Sequence, residues 1–321
     1  MRDIENISIS QGETLNVSGT TTLGRHFPLA QGWHKLMIAF NVAVTIGTGT
    51  GAIADGLQRL VKRVLLRTDR GEIICNACGR FLAIVENAKT GTTPYNDTLA
   101  AASATYTQYL TIFFSDPRLL RPVDTILDTA RYNNLSLEIT LGTVADLFTS
   151  VGTSSIAVTT DIVVNRTREV LPPEARPLFY VSYENAQPTP AANAFIDIDR
   201  APDLAIKRLY IAATTDGTAG EQWSGTFVNT IQNRCSVKDS SSYYIQDRLD
   251  EGVRADNKTH YAFETIKTGI QIHSFTSDDS VNSALYTGDK SKLQYVWDNQ
   301  ALGGLTTPQV CLSWEGVRGL K

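Results

Sequence analysis

Apolar and polar residues alternate in short runs along most of the chain. The longest run is HKLMIAFNVAVTI at residues 34–46, and shorter runs of the same kind are LTIFFSD (110–116), LSLEITLG (135–142) and SSIAVTTDIVV (154–164). Alternation with a period of two is typical of strands that bury one face. The 321-residue chain is therefore predicted to be mostly β-structure.

Two segments between these runs have a less regular pattern. EIICNACGRFLAIVENA, at residues 72–88, is predicted to form two short strands. The Ala-rich LAAASATYTQYL, at residues 99–110, is predicted to form a short helix. Helices are thus expected only in the connections between strands.

The second half of the chain repeats the pattern of the first half. LVKRVLLRTDRG (60–71) resembles AIKRLYIAATTDG (205–217), and ILDTARYNNLSLEI (126–139) aligns without a gap on ALYTGDKSKLQYVW (284–297). Three weaker pairs are LMIAFNVAV with LFYVSYENA, LTIFFSD with IQIHSFTSD, and SSIAVTTDIVV with TPQVCLSWEGV. Because the pairs keep one order along the chain, two copies of one domain are predicted. The alternative is two unrelated strand-rich domains that share generic alternation.

The charged segment NRTREVLPPEARP, at residues 165–177, divides the two halves. It holds three prolines, which exclude it from the middle of a sheet or a helix. The predicted organisation is an N-terminal arm or edge segment (1–32), a first barrel (33–165), a linker (166–177) and a second barrel (178–321).

Composition and charge narrow the class of protein. Hydrophobic residues make up 42% of the chain, enough to bury two cores, and charged residues make up 19%. The net charge of −4 argues against a dedicated nucleic-acid binder. The sequence contains no pattern that predicts a secretory signal peptide or a transmembrane helix.

The number of strands indicates the type of domain. Each copy has about eight short strands in ~150 residues with long loops, a pattern typical of β-sandwiches. Eight strands favour a jelly roll, and seven would favour an immunoglobulin-like sandwich. The predicted fold is all-β: two tandem eight-stranded jelly-roll barrels with short helices in the connecting loops.

This ordering resembles the double jelly-roll major capsid proteins of tailless icosahedral viruses, in particular bacteriophages with an internal membrane. The resemblance lies in residues 110–142, LTIFFSDPRLLRPVDTILDTARYNNLSLEITLG, and in the paired Lys-Arg strands. It implies a non-enzymatic shell subunit whose homotrimers are pseudo-hexameric and tile an icosahedral virion. The implied partners are neighbouring capsomers, penton and minor capsid proteins and an internal lipid membrane. The protein would be synthesised in the host cytoplasm and located in the virion, without cofactor or specific nucleic-acid binding.

Catalytic and metal-binding motifs are weak. Cys75-x-x-Cys78 lacks the second ligand pair of a structural zinc site, and a strand-to-helix context is not predicted for it. The remaining cysteines and the histidines do not have the spacing of a metal site: Cys235, Cys311, His26, His34, His260 and His273. No catalytic, cofactor-binding or metal-ligating residue is therefore assigned.

Three loops have compositions that could suit a ligand site. The glycine-rich IGTGTG (46–51) is interpreted as a turn, and the acidic stretches RADNK (254–258) and TSDDSVN (276–282) as solvated turns. Lys62-Arg63 and Lys207-Arg208 are each expected to expose one member to solvent or to an acid of a neighbouring subunit. The tryptophans are predicted to be core or interface anchors: Trp33, Trp223, Trp297 and Trp314.

Two rival functions remain from the sequence. A carbohydrate-binding tandem β-sandwich, such as a phage spike or a lectin, would need aromatic residues at one loop end, where Trp223 and residues 240–244 are the only hints. A glycan-acting enzyme would need a facing pair of carboxylates, which the sequence does not single out.

Overall fold

The computed structural model describes residues 4–23, 27, 29–47, 51–115, 125–240, 243–263, 267–276, 283–300 and 302–319. The chain divides into two compact units, residues 1–181 and 182–321. The division falls close to the predicted start of the second barrel at residue 178.

Unit 1 consists of strands and two helices. Its strands are β1 (Ile4–Leu15), β2 (Thr20–Leu23), β3 (Gly32–Thr45), β4 (Val61–Thr68), β5 (Ile73–Ala77), β6 (Ala104–Phe113), β7 (Leu127–Asp128), β8 (Leu135–Leu141) and β9 (Ser155–Thr167). Its α-helices are α1 (Gly56–Leu60) and α2 (Gly79–Thr90), and 3₁₀ turns cover Thr129–Arg131, Val144–Asp146 and Pro173–Ala175.

Two four-stranded antiparallel arrays form the barrel of unit 1. Their strand orders are β1-β9-β3-β6 and β2-β8-β4-β5. The alternation seen in the sequence fixes which face of each strand is buried, as in β8, where every second residue from Leu135 to Leu141 is buried. Eight strands in these two interleaved orders form a jelly roll.

Unit 2 has the same construction. Its strands are β10 (Tyr180–Asn185), β11 (Thr189–Pro190), β12 (Phe195–Asp197), β13 (Leu204–Thr215), β14 (Thr226–Phe227), β15 (Gln232–Asp239), β16 (Tyr243–Leu249), β17 (Ile270–Ser274), β18 (Leu285–Tyr286), β19 (Leu293–Asn299) and β20 (Gln309–Arg318). Its helix is α3 (Asp250–His260). The orders β10-β20-β13-β17 and β12-β19-β15-β16 match those of unit 1 strand for strand. The predicted double jelly roll is confirmed.

A shared detail supports the gapless alignment of residues 126–139 with 284–297. Leu127 pairs with Trp33 at the start of β3, and Leu285 pairs with Ile206 at the start of β13, the equivalent strand. Thr129 Oγ1 donates to the carbonyl of Gln31 at 2.7 Å, and Thr287 Oγ1 contacts the carbonyl of Leu204 at 3.0 Å. In both units the start of the equivalent strand, β3 or β13, is held by the same strand pairing and by a similar threonine contact.

Two of the five sequence pairings join strands that are not equivalent. β4 is the fourth strand of its jelly roll and β13 is the third, so the two Lys-Arg segments do not correspond, and LMIAFNVAV in β3 does not correspond to β10. The Lys-Arg segments do share one local feature, a β-bulge at the lysine, between Val61 and Arg63 and between Ile206 and Arg208. The other three pairings join equivalent strands.

Both irregular segments of unit 1 differ from their predictions. Residues 72–88 form one strand followed by α2, because the apolar run after Cys78 is buried as a helix. Residues 99–110 form no helix: Ala104–Phe113 pairs along β3 in continuous register, and this pairing overrides the helix propensity of alanine.

Of the two alternatives predicted for residues 1–32, the described residues 4–23 match the edge segment and not the arm. Ile4–Leu15 is the edge strand of one array of unit 1, paired with β9, and Thr20–Leu23 is the edge strand of the other, paired with β8. They are the first two strands of the barrel. None of the helices described here is long and apolar enough to cross a membrane.

Candidate functional sites

The Cys75-x-x-Cys78 motif lies at a junction between a strand and a helix. Cys75 is inside β5 and Cys78 is the N-cap of α2, so the strand-to-helix context that was not predicted is present. Both side chains are buried, which closes them to a redox partner in solvent. Within the described ranges, no group of three or more His, Cys, Asp and Glu side chains is arranged to hold a metal ion.

The histidines and the remaining cysteines are spread over the two units. His34 is buried beside Ser115, with Nδ1 3.2 Å from Oγ, and burial lowers its pKa. His260 lies on α3 with its ring 4.6 Å from that of Tyr261. Burial raises the pKa of Cys235 to about 12, so its thiol stays protonated. His26 lies outside the described residues.

One of the three candidate loops is helical. RADNK (254–258) lies within α3, where Arg254 Nε donates to Asp250 Oδ2 at 2.8 Å. This contradicts the prediction of a solvated turn. The stretch 276–282 falls outside the described residues apart from Thr276, and IGTGTG is described only at residues 46, 47 and 51.

The first Lys-Arg pair is held within unit 1. Lys62 Nζ lies 2.5 Å from Asp146 Oδ1, and Arg63 Nε donates to Asn76 Oδ1 at 2.8 Å. Arg63 is exposed, in agreement with the expectation that one member faces outward.

The second Lys-Arg pair contradicts that expectation. Lys207 and Arg208 are 0% and 1% exposed, and both face Glu315 of the same chain. Arg208 Nη1 donates to Glu315 Oε2 at 2.9 Å, and Lys207 Nζ is 3.9 Å from Oε1. Arg208 points away from the core, but that face of the sheet is itself covered by Trp223 and Tyr261. Alternation predicts which face of the sheet a side chain points to, but it does not predict whether other residues cover that face.

Glu315 is the centre of this buried ion cluster. Tyr210 OH donates to Glu315 Oε2 at 3.1 Å, and the Arg208 guanidinium lies 5.7 Å from the ring of Tyr261. Burial, with Glu315 adding to it, raises the pKa of Tyr210 well above its usual value. Tyr210 therefore stays a hydrogen-bond donor, and the carboxylate of Glu315 is shared by two buried basic side chains.

A second buried polar network joins α3 to strands β15, β16, β17 and β19. Gln271 Nε2 donates to Asp250 Oδ1 and to Gln232 Oε1, and Tyr295 OH lies 3.1 Å from Gln271 Oε1. His273 Nε2 lies 3.1 Å from Gln271 Oε1. This network occupies the side of the unit 2 barrel where β16 and β17 approach each other.

Side-chain amides close the outer edge of β17. Gln246 Nε2 donates to the carbonyl of Ser274 at 2.8 Å. In the amide orientation that satisfies both groups, Asn257 Nδ2 donates to the carbonyl of Ile272 at 2.8 Å and Oδ1 accepts from Ile272 N at 2.6 Å. A strand edge covered in this way cannot pair with another chain.

All four tryptophans are buried. Trp33, Trp297 and Trp314 pack in the two units, and Trp223 is 0% exposed with Nε1 donating to Ser313 Oγ at 2.8 Å. Trp223 was the aromatic hint for a sugar site, and its burial removes that support.

Exposed large apolar side chains mark the surfaces that are open to partners. They are Ile4, Tyr95, Tyr109, Val170, Leu178, Phe195, Leu249 and Tyr286. Tyr95 and Tyr109 form a pair on unit 1, with ring centroids 5.6 Å apart and planes at 74°. The sequence could not identify them, because exposure depends on which strands and helices cover each face.

No family model matches the sequence, and no curated protein matches it. Solved structures do match along the whole chain. The STIV major capsid protein, from Sulfolobus turreted icosahedral virus, is 14% identical with a TM-score of 0.74, covering 98% of this chain and 97% of that one. The VP54 protein of PBCV-1 is 10% identical with a TM-score of 0.62, covering 98% and 93%.

The major capsid protein P2 of bacteriophage PM2 is 10% identical with a TM-score of 0.59, covering 98% of each chain. At these identities the likeness establishes a shared fold. The protein therefore has the double jelly-roll fold found in these viral proteins.

Proposed function

We propose that this protein is a major capsid protein, the shell subunit of a tailless icosahedral virus. The observation that carries the proposal is the pair of equivalent jelly rolls in one chain, superimposable over 98% of its length on the capsid proteins of two viruses. On this proposal the protein acts in the virion as a structural subunit, without a cofactor or catalysis.

The duplication has a physical use in a shell. Two similar barrels give one chain two similar outlines, so that three chains present six near-equivalent edges from one gene product. Contacts between unlike surfaces of identical subunits can then extend over a lattice. The proposed capsomer is a homotrimer of pseudo-hexagonal outline, with penton and minor capsid proteins and an underlying membrane as further partners. Synthesis in the host cytoplasm belongs to the same proposal.

The mass of the purified protein in solution tests this proposal. Light scattering coupled to size exclusion should give three times the mass of one chain or more, and negative-stain microscopy should show particles with a pseudo-hexagonal outline. A monomer that stays monomeric at every concentration reached, and that is retained on a glycan column, would favour the carbohydrate-binding alternative.

A further inference from the structure

The outward face of the β1-β9-β3-β6 array of unit 1 is open at its centre. Ser8 pairs with Val163, which pairs with Met37, and in the next row Asp161 pairs with Ala39, which pairs with Tyr109. These side chains line a groove of about 410 Å³ together with Gln11. They alternate with the buried Ile162 and Val164, so they point away from the core.

The groove has the composition of an interface centre. Its floor is apolar, formed by Met37, Ala39 and Val163, and Tyr109 is 36% exposed at its side. Tyr95, which packs edge-to-face on Tyr109, is 61% exposed. Methionine and tyrosine are enriched where protein surfaces meet, and contiguous exposed apolar surface marks such places.

The carboxylate on this face, that of Asp161, already accepts hydrogen bonds from the same chain. Asp161 Oδ1 accepts from Gly12 N at 2.6 Å, and Asp161 Oδ2 accepts from Asn41 Nδ2 at 3.1 Å. A protein surface can cover it without leaving its oxygens unmatched. Among the described groove residues the only charge is this negative one, which disfavours nucleic acid as the occupant.

In unit 2 the equivalent sheet face is buried. On the equivalent strands β13 and β20, the outward residues Tyr210, Ser313 and Glu315 are 0% exposed. Trp223 covers this face at Cys311 and Ser313, with its backbone N 3.4 Å from Cys311 Sγ and its Nε1 2.8 Å from Ser313 Oγ. In unit 1 the cover is partial: α2 reaches one end of the face, where Lys89 Nζ lies 5.8 Å from the ring of Phe113. Beyond α2, Met37, Asp161, Val163 and Tyr109 keep part of their surface exposed.

We infer that a second copy of this chain covers this open face of unit 1. The inference rests on the proposed shell function and deepens it by naming the contact surface. Four strands spaced ~4.8 Å apart and about ten residues long offer a face of roughly 600 Å². A stable association buries about 800 Å² per partner, so this face supplies most of one standard interface. The covered face of unit 2 cannot make this contact. In the proposed homotrimer each copy meets the next head to tail, so this face contacts a different surface of the partner copy, which is a heterologous contact.

The substitution Val163→Lys tests the inference. It places a charge at the centre of the groove on a partly buried outward position, where the flexible lysine side chain can reach solvent in the isolated chain. The matched control is Thr22→Lys, an exposed position on the other array of the same unit, opposite Glu138. Val163→Thr keeps the shape of the side chain and should assemble as the wild type does.

Sedimentation velocity over a concentration series measures the outcome. Val163→Lys is expected to weaken self-association at least tenfold, while Thr22→Lys and the wild type associate alike. Circular dichroism and the unfolding temperature show that each variant is folded. If folded Val163→Lys associates like the wild type, this face is not the contact and the shell proposal stands. If the wild type never associates, both this inference and the shell proposal are wrong.

Discussion

Glu315 shows how one residue can govern a buried cluster. Its carboxylate faces Lys207 and Arg208 and accepts from Tyr210, and all four side chains are almost completely buried. Removing the acid from such a set is costly, because the basic side chains stay buried and lose the carboxylate that they face. The stability of unit 2 should therefore depend strongly on this single acid.

We predict that Glu315→Gln lowers the free energy of unfolding by about 3–5 kcal/mol, since two buried cations lose their anion. The control is Glu138→Gln in β8, whose ion-pair partner Arg67 is half exposed. A solvent-screened pair contributes about 1 kcal/mol or less. Urea unfolding of both variants makes the measurement, and similar losses for the two would contradict the role given to Glu315.

At the scale of elements, the sequence predicted strands better than helices. Regular alternation identified β3, β8 and β9, because one buried face imposes a period of two. It failed for α2, where the apolar run Phe81 to Val85 is compatible with either a strand or a buried helix. It also missed α3, although Asp250 and Glu251 in the first turn and Lys258 and His260 in the last turn match the helix dipole and could have found it.

The helix α3 holds the edge of β17 through Asn257. We predict that Asn257→Leu destabilises the protein by about 1–3 kcal/mol, because the N–H and C=O of Ile272 lose their partners. The control in the same helix is Thr259→Ala, at an exposed position, which should leave stability within about 0.5 kcal/mol. Thermal unfolding measures the stability of both variants. An equal loss of stability in Thr259→Ala would mean that any change in the helix destabilises the protein, and that the amide of Asn257 has no special role.

At the scale of the whole molecule, the double barrel could be derived from the order of repeated segments, but the candidate surfaces could not. The order of the strands can be recognised in the sequence pattern. Whether a sheet face is covered depends on residues from distant parts of the chain. One of Lys207 and Arg208 was expected to be exposed and both are buried, and Tyr109 forms part of an open face that alternation alone does not reveal. The Lys-Arg segments lie on strands that are not equivalent, yet the duplication that they suggested is correct.

The pH dependence of stability also belongs to the scale of the whole molecule. At acid pH, His273 is expected to destabilise the folded state. Its two ring nitrogens face Gln246 Oε1 and Gln271 Oε1, both at 3.1 Å. Burial, with a smaller contribution from Arg248, lowers its pKa to about 4. The ring of Tyr295 in β19 lies 5.5 Å from that of His273, and Gln271 links His273 to Asp250 of α3.

Between pH 6.5 and about 4, the unfolded chain protonates His273 and the folded chain does not, so stability falls as pH falls. Burial raises the pKa of Asp250, which acts in the opposite direction over part of this range. We therefore compare the wild type with His273→Gln. Between pH 7 and pH 4, the free energy of unfolding of the wild type should fall by up to about 3 kcal/mol more than that of the variant. Urea unfolding at half-unit pH steps gives both curves. Parallel curves would show that His273 titrates normally in the folded protein, and that its side of the barrel is open to water.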